Sequence, residues 1–445
     1  MKRGEKTGGP SQSHEGELRR EVGLPGAVLL GLGSMVGTGV FVSVGIAAGI
    51  AGPAIVAATV LAALIATANG LSSAQLASAH PVSGGTYEYG YRWLSPAFGF
   101  SAGWMFMLAK SASAATAALG LSGYLLDLLG IDRGGWYVIV AVTGAMAVTA
   151  FVAGGIRRTN LGNAWVVGIA LAGLALLIAL SLPRIATEGF GRFSPFLPRG
   201  EGGIRTLLHG AALMFVAYTG YGRIATLGEE VRDPRHVIPR AIIVTMAVVT
   251  ALYVGVATAG VGVLGADAFG AAAERTGAPL EAVARALDVP FLPQLLAVAA
   301  IAAMAGVLLN LVLGLSRVLL AMARRRDAPR FLARVDARRA SPVTSVWACG
   351  LLIAGIALIG NVRTTWSFSA FTVLVYYAIT NLAALRLPEQ HRLYPRWISL
   401  AGLIGCLGLA FWVEREVWMI GLALLGVGLA GHRLHHRRSA THPHA

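Results

Sequence analysis

From Leu24 to Ala51 the chain carries no charged side chain, and an apolar run of that length is long enough to cross a bilayer. Gly33, Gly37 and Gly39 sit in the middle of it. Glycine weakens a helix, and the backbone amides it frees find no water to bond in hydrocarbon. A break at that depth is tolerated where it lines a polar cavity, and there it becomes a binding site. The second half-helix, starting near Thr38, then aims its N–H groups and the positive end of its dipole at an anion such as a carboxylate. Gly33 and Gly37 also form a GxxxG pair, so a small-residue packing face is the competing reading of the same letters.

The rest of the chain repeats the pattern of apolar runs. With 56% hydrophobic and 13% charged residues over 445 positions and a mean hydropathy of +0.68, the chain reads as an all-α polytopic membrane protein. Twelve spans are expected, at 25–51, 53–78, 97–126, 134–153, 161–182, 206–226, 240–264, 291–323, 342–360, 364–387, 396–413 and 415–432. With the N-terminus placed inside, 26 of the 36 Lys and Arg residues fall on the cytoplasmic side and nine on the outer side. That asymmetry predicts a plasma (inner) membrane protein with both termini cytoplasmic. It also makes the net charge of +15 a topology signal, with no nucleic acid implied. Cys349 and Cys406 each lie within a span, so no disulfide framework is expected. The run after residue 24 is too long for a signal-peptide core and is read as a retained helix.

A Pro- and Gly-rich loop at 183–205 separates two halves. The expected organisation is a cytoplasmic tail (1–24), a first five-helix repeat (25–182), the extracellular loop, a second repeat (206–387), two peripheral helices (388–432) and a His- and Arg-rich tail (433–445). The sixth span repeats the oddity of the first. Ala217-Tyr218-Thr219-Gly220-Tyr221-Gly222-Arg223 interrupts its apolar run and leads to Glu229-Glu230-Val231-Arg232-Asp233-Pro234. Two interrupted segments, each opening a set of five spans, are the pattern of an inverted-repeat transporter. His432, His435, His436, His442 and His444 are read as a solvated tail, since nothing fixes them as metal ligands.

Gly33-Ser34-Met35-Val36-Gly37-Thr38-Gly39-Val40-Phe41 resembles the first-helix signature of the amino acid–polyamine–organocation (APC) superfamily. Pro81-Val82-Ser83-Gly84-Gly85-Thr86-Tyr87 is similar to the loop after its second helix, and Gly103-Trp104 to its third-helix entry. Ala217-Tyr218-Thr219-Gly220-Tyr221, with Glu229 to Arg235 and Ile238 to Ile242, resembles its sixth-helix block, and Leu315-Ser316-Arg317 the end of its eighth helix. The resemblance implies a LeuT-type fold: twelve transmembrane helices, a 5+5 inverted repeat plus two peripheral helices. It also implies secondary transport of amino acids or related amines. Carried over by position, the backbone of Ser34, Met35, Val36, Gly37, Thr38 and Gly39 would hold a substrate carboxylate. Carbonyls around Phe215, Ala217 and Tyr218, at the break opened by Gly220, would take the α-amino group, with the rings of Phe215, Tyr218 and Tyr221 closing over it.

Two departures from that pattern matter. Gly222-Arg223 stands where many relatives carry an acidic residue, and a positive charge entering the site there disfavours cationic substrates; the competing reading points Arg223 down the half-helix toward Glu229 or the cytoplasm. The fifth helix, Asn163 to Ile169, also lacks the lysine by which several proton-coupled relatives replace a sodium ion. Lys110 lies in the third helix instead, about 13 residues from its start and so roughly 20 Å along it. A charged lysine at that depth costs about 3 kcal/mol and so marks function. Lys2, Lys6 and Lys110 are the only lysines of the chain, and a buried lysine, unlike an arginine, can release its proton near neutral pH. Lys110 is therefore read as the proton-coupling group, against the competing reading of a snorkelling or fixed structural contact.

The expected function is movement of an amino acid by alternating access, proton-coupled or by exchange, with no covalent chemistry, cofactor or metal. The expected partners are the amino acid, protons and the lipid bilayer. Sodium coupling is a rival, but the eighth helix offers only Asn310 and Ser316 toward a sodium cage. Transport of an amine or polyamine, and sensing of an amino acid without transport, also compete with the main reading. Arg19 and Arg20 facing Glu229 and Glu230 are expected to latch the cytoplasmic entrance.

Overall fold

A computed structural model describes residues 22–80, 84–155, 160–197, 202–225, 231, 233–336 and 342–441. Most of these residues are helical, and Val22 and Val231 form a parallel backbone bridge. The helices are α1 (Leu24–Met35), α2 (Val44–Ala51), α3 (Ile55–Ala79), α4 (Thr86–Trp93), α5 (Pro96–Leu128), α6 (Trp136–Ala153), α7 (Asn160–Arg184), α8 (Gly203–Tyr218) and α9 (Gly222–Ala225). They continue as α10 (Pro234–Leu264), α11 (Ala266–Thr276), α12 (Pro279–Ala286), α13 (Leu292–Arg324), α14 (Val343–Ala357), α15 (Val362–Leu385), α16 (Arg396–Ala410) and α17 (Arg415–Thr441). Among the described residues, seven helical runs are long and apolar enough to cross a membrane, and Leu24–Met35, Val343–Ala357 and Arg396–Ala410 are shorter apolar helices.

The local chemistry accounts for the boundaries. α5, α10, α12 and α13 all carry proline in their first turn, where its fixed φ suits the helix and its missing N–H is not needed. α11 ends at Gly277, whose φ of 53° is a left-handed cap that a side chain would disfavour.

The buried α5 organises the packing. It lies against α4, α6, α13, α14, α15 and α17, and Ala109, Ala112, Ala115 and Ala118 let its neighbours approach closely. The outer rim of the bundle is apolar and exposed, as at Leu64, Trp165 and Val427. That is the surface expected to face lipid rather than water.

Several polar side chains inside the bundle are paired across helices. Ser72 meets Ser399 at 2.9 Å, Gln75 donates to Ser399 at 3.1 Å, and Asn381 donates both to Asn69 and to the Tyr377 carbonyl. These bonds attach α16 to α3, and α3 to α15.

Three regions differ from the sequence expectation. The segment 265–290 between two expected spans holds two short helices, α11 and α12, packed on the bundle. Helix α17 runs on to Thr441, past the expected end of the last span. His432 is not part of a solvated tail: its side chain is 7% exposed and meets Asp327 at 3.2 Å, with its ring stacked on Phe100. A continuing helix and a buried carboxylate together hold it in the bundle.

Candidate functional site

The first helix breaks where its glycines fall. α1 ends at Met35, Val36 turns to φ −75°, ψ 96°, and a π-turn over Gly39–Ser43 precedes α2. Val36 N–H closes the first half on Leu32 at 2.8 Å, and Val40 and Phe41 open the second by donating to the Gly37 carbonyl at 3.1 and 3.0 Å. Among the described residues, the N–H groups of Gly37, Thr38 and Gly39 between them carry no backbone partner. The buried Thr38 hydroxyl has no hydrogen-bond partner either. Buried polar groups are almost always satisfied, so four unpartnered polar groups at one break make a site with donors to spare. The Ser34 hydroxyl is turned away, donating to the Leu30 carbonyl at 2.9 Å.

The segment expected as the sixth span is broken as well. α8 stops at Tyr218, a 3-10 turn covers Thr219–Tyr221, and α9 resumes at Gly222. The two breaks lie directly against one another. A Cβ on Gly220 would stand 2.6 Å from the Ser34 carbonyl oxygen and from Met35, and one on Gly39 would stand 2.6 Å from the Ala217 Cβ. Only glycine permits that approach of two backbones. Gly37 is likewise held against Val307 of α13.

Tyr253 of α10 ties the two breaks together. Its hydroxyl donates toward the Met35 carbonyl at 2.7 Å and the Ala217 carbonyl at 3.2 Å. The sequence signal for this role is one hydroxylated ring in the otherwise apolar α10, and it is too common a feature to single out. The aromatic residues of the sixth span take different directions. Phe215 meets the Tyr377 ring edge-on at 5.8 Å, and Tyr221 meets the same ring at 5.3 Å. Tyr218 turns toward α3, where its hydroxyl reaches the Thr59 carbonyl at 3.3 Å, and its ring lies 5.1 Å from Tyr253.

Lys110 reaches this junction. It is 8% exposed, and its Nζ donates to the Thr219 hydroxyl at 2.8 Å. Thr219 passes a hydrogen bond to the Val216 carbonyl at 2.7 Å, while Tyr377 donates to the Thr219 carbonyl at 3.3 Å. The ammonium therefore sits at the C-terminal end of half-helix α8, where the dipole favours a cation. Lys110 forms no ion pair with any described acidic residue, and it does not extend along the helix to water. Next to it, Ser113 meets Ser369 and Thr116 meets Thr365, each at 2.7 Å. Thr365 and Ser369 are one turn apart on α15, and that spacing is the sequence signal for the stripe.

At the end of the bundle that holds α4, Asp327 collects the Tyr87 and Tyr91 hydroxyls at 2.7 and 2.6 Å, and His432 completes the cluster. Burial first, and the Asp327 carboxylate second, push both tyrosine hydroxyls above their usual range. Glu88 pairs with Arg325, whose guanidinium lies 4.6 Å from the Tyr91 ring centre. The expected latch of Arg19, Arg20, Glu229 and Glu230 lies outside the described residues.

An uncharacterized transporter of Mycobacterium tuberculosis is 40% identical over 418 residues, covering 94% of this chain and 91% of its own length. The branched-chain amino acid permease BcaP of Bacillus subtilis is 28% identical, covering 89% and 87%. The methylthioribose transporter of the same organism is 26% identical, covering 86% and 84%. The family model described as Amino acid permease matches residues 26–428. The chain is thus a multi-pass membrane protein that belongs to the amino acid permease family of the APC superfamily, a family of transporters of amino acids or related compounds.

Proposed function

We propose that this permease is a secondary active transporter that carries an amino acid or a close relative across the plasma membrane by alternating access. In this reading twelve transmembrane helices form two inverted sets of five plus two peripheral helices, with both termini in the cytoplasm. The substrate carboxylate is held by the N–H groups of Gly37, Thr38 and Gly39 and by the Thr38 hydroxyl. The amino group lies toward the carbonyls around Phe215, Ala217 and Tyr218. The observation that carries the reading is the pair of facing breaks, with unpartnered donors on the first and a helix C-terminus on the sixth. Helix N-termini attract anions and C-termini attract cations.

Lys110 is the coupling group in this proposal. Charged, it occupies the cation-favouring end of α8; once it loses its proton, the bond to Thr219 weakens and the sixth-helix break is released. A permanent or transient positive charge at that end also opposes a cationic substrate side chain, as does Arg223 one turn further on. Arg19 and Arg20 with Glu229 and Glu230 form the cytoplasmic latch, and the Val22–Val231 bridge supports it by joining the chain just after each pair. Single charge reversals on either side should stop transport, and the double reversal should restore it.

The test is reconstitution. Purified protein in liposomes should accumulate a labelled amino acid when an inward proton gradient is imposed, or exchange it against unlabelled amino acid inside. A thermal-shift screen of the twenty amino acids and common amines selects the compound first, since a ligand that binds the folded state raises its melting temperature. Neither accumulation nor exchange of the stabilising compound would reject the proposal.

A further inference from the structure

Helix α12, which lies over the outer half of the first broken helix and packs against α10, α11 and α13, carries an acid buried more deeply than a surface helix requires. Glu281 is 2% exposed. Its Oε1 accepts from Arg285, one turn along the same helix, at 2.8 Å. Its Oε2 is buried with no hydrogen-bond partner. Asp127, at the end of α5, lies close enough to Glu281 for a hydrogen bond and stands 3.5 Å from the same Arg285 nitrogen.

Two ionised carboxylates are both acceptors, so nothing joins them unless one carries a proton. One guanidinium, itself largely exposed, neutralises only one of the two charges. Carboxylates that share a site cannot both ionise without cost, and burial adds to that cost. A single proton between them would give the orphaned oxygen its partner and remove the repulsion.

The pair is wired to the first-helix break. Tyr124, one turn before Asp127 on α5, donates its hydroxyl to the Phe41 carbonyl at 2.8 Å, inside the π-turn that opens the second half-helix. The backbone of Leu280, the residue before Glu281, stands close to that same hydroxyl. Any movement of α12 away from α5 therefore pulls on the bond that fixes the break.

We propose that Glu281 and Asp127 form a proton-binding site, and that the proton they share fastens α12 to α5 and to the first broken helix. Loss of that proton restores the repulsion and loosens α12, so the cover over the site follows the pH on its own side of the membrane. The groups that face Glu281 are Asp127 and Tyr124 from α5 and Arg285 from α12; Arg133 acts on Asp127 from the segment after α5. No charged group of α10, α11 or α13 acts on it among the described residues. Burial, and next the hydrogen bond from Asp127, raise the Glu281 carboxyl to about 7, against the opposing pull of Arg285.

The site can be tested without knowing what the protein carries. A carboxyl whose folded-state pKa lies above its unfolded value lets the folded state bind the extra proton. Stability then falls as pH rises from the unfolded value through about 7 and levels off beyond it. The melting temperature of purified Glu281→Gln should therefore gain on that of wild type by a few degrees between about pH 5 and pH 8. Infrared difference spectra over the same range should show a protonated-carboxyl band in wild type that titrates near neutral pH and is missing from Glu281→Gln. Asp127→Asn, which removes the neighbouring charge, should move that titration to lower pH, and it keeps the test open if Glu281→Gln does not fold. Parallel melting curves, a band that survives in Glu281→Gln, or a midpoint unmoved in Asp127→Asn would each overturn the proposal. Because none of these readouts involves transport, their failure would leave the reading of the two broken helices standing.

Discussion

The Lys110 Nζ donates to the Thr219 hydroxyl at 2.8 Å, so the buried lysine of α5 is bonded to the break in the sixth span and not to an acid. A hydrogen bond from a charged donor contributes about 1.5–3 kcal/mol, and this one joins α5 to the break between α8 and α9. If Lys110 couples transport to protons, Lys110→Gln should lower gradient-driven uptake roughly tenfold to a hundredfold and flatten its pH dependence. Uptake measured across a pH series in proteoliposomes checks this. A Lys110→Gln variant whose uptake keeps the wild-type pH profile would assign the lysine a structural role only.

Gly220 is the tightest point of the contact between the breaks, with the Ser34 carbonyl 2.6 Å from where a Cβ would stand. Overpacking of this kind costs about 1–3 kcal/mol, so Gly220→Ala should melt several degrees below wild type and lose response to the stabilising ligand. Gly168, on the exposed face of α7 with open space around it, is the control. There alanine removes the helix penalty of glycine, worth about 1 kcal/mol, and the variant should be as stable as wild type or more so. Thermal-shift curves of the two variants side by side decide the point.

Asp327 is a buried carboxylate that accepts from Tyr87 and Tyr91 and pairs with His432. Removing one side of such a buried pair costs about 3–5 kcal/mol, so Asp327→Asn should be among the most destabilising single changes in the chain. Tyr87→Phe and Tyr91→Phe should each cost less, about 1.5–3 kcal/mol, because the other hydroxyl remains. His432→Ala should loosen α17, read as faster proteolysis beyond residue 432 with the rest of the chain intact.

Glu414, between α16 and α17, gives an acid-side prediction. Burial alone would raise its carboxyl, but the hydrogen bond and charge of His209 outweigh burial and hold it at about 2; Arg363 stands 3.1 Å away. A carboxyl depressed in the folded state contributes stability that is present above its unfolded value of 4.5 and is lost as pH falls toward about 2. Glu414→Gln should therefore melt below wild type at neutral pH, and the two curves should converge at about pH 2–3.

The parts legible in the sequence were those set by backbone chemistry. Gly37, Gly39 and Gly220 lie where the two apolar runs break, while Gly33 stays within α1 and Gly222 opens α9. The helix boundary at Pro96 followed from proline, whereas α10 begins at Pro234, ahead of the span expected from residue 240. Contacts between distant side chains were not legible. Tyr253 bridges the two breaks only because α10 crosses them, and no local pattern encodes that crossing. Lys110 stood out by its cost in the membrane, whereas its partner Thr219 needed coordinates. His432 looked like one of several tail histidines until the continuation of α17 and the position of Asp327 placed it in the bundle. Glu281 was hidden for the same reason, in a segment that read as a loop.

The most direct test of the central claim, that the first-helix break holds a substrate carboxylate, is the affinity of the stabilising amino acid for wild type and Thr38→Val. The Thr38 hydroxyl is buried without a partner, so replacing it with a methyl of nearly the same shape costs the empty protein nothing. Its loss removes a donor to the carboxylate worth about 1.5 kcal/mol or more. The account predicts an unchanged or higher melting temperature without ligand and a dissociation constant weakened by about tenfold or more. An affinity equal to that of wild type, with the same stability, would contradict it.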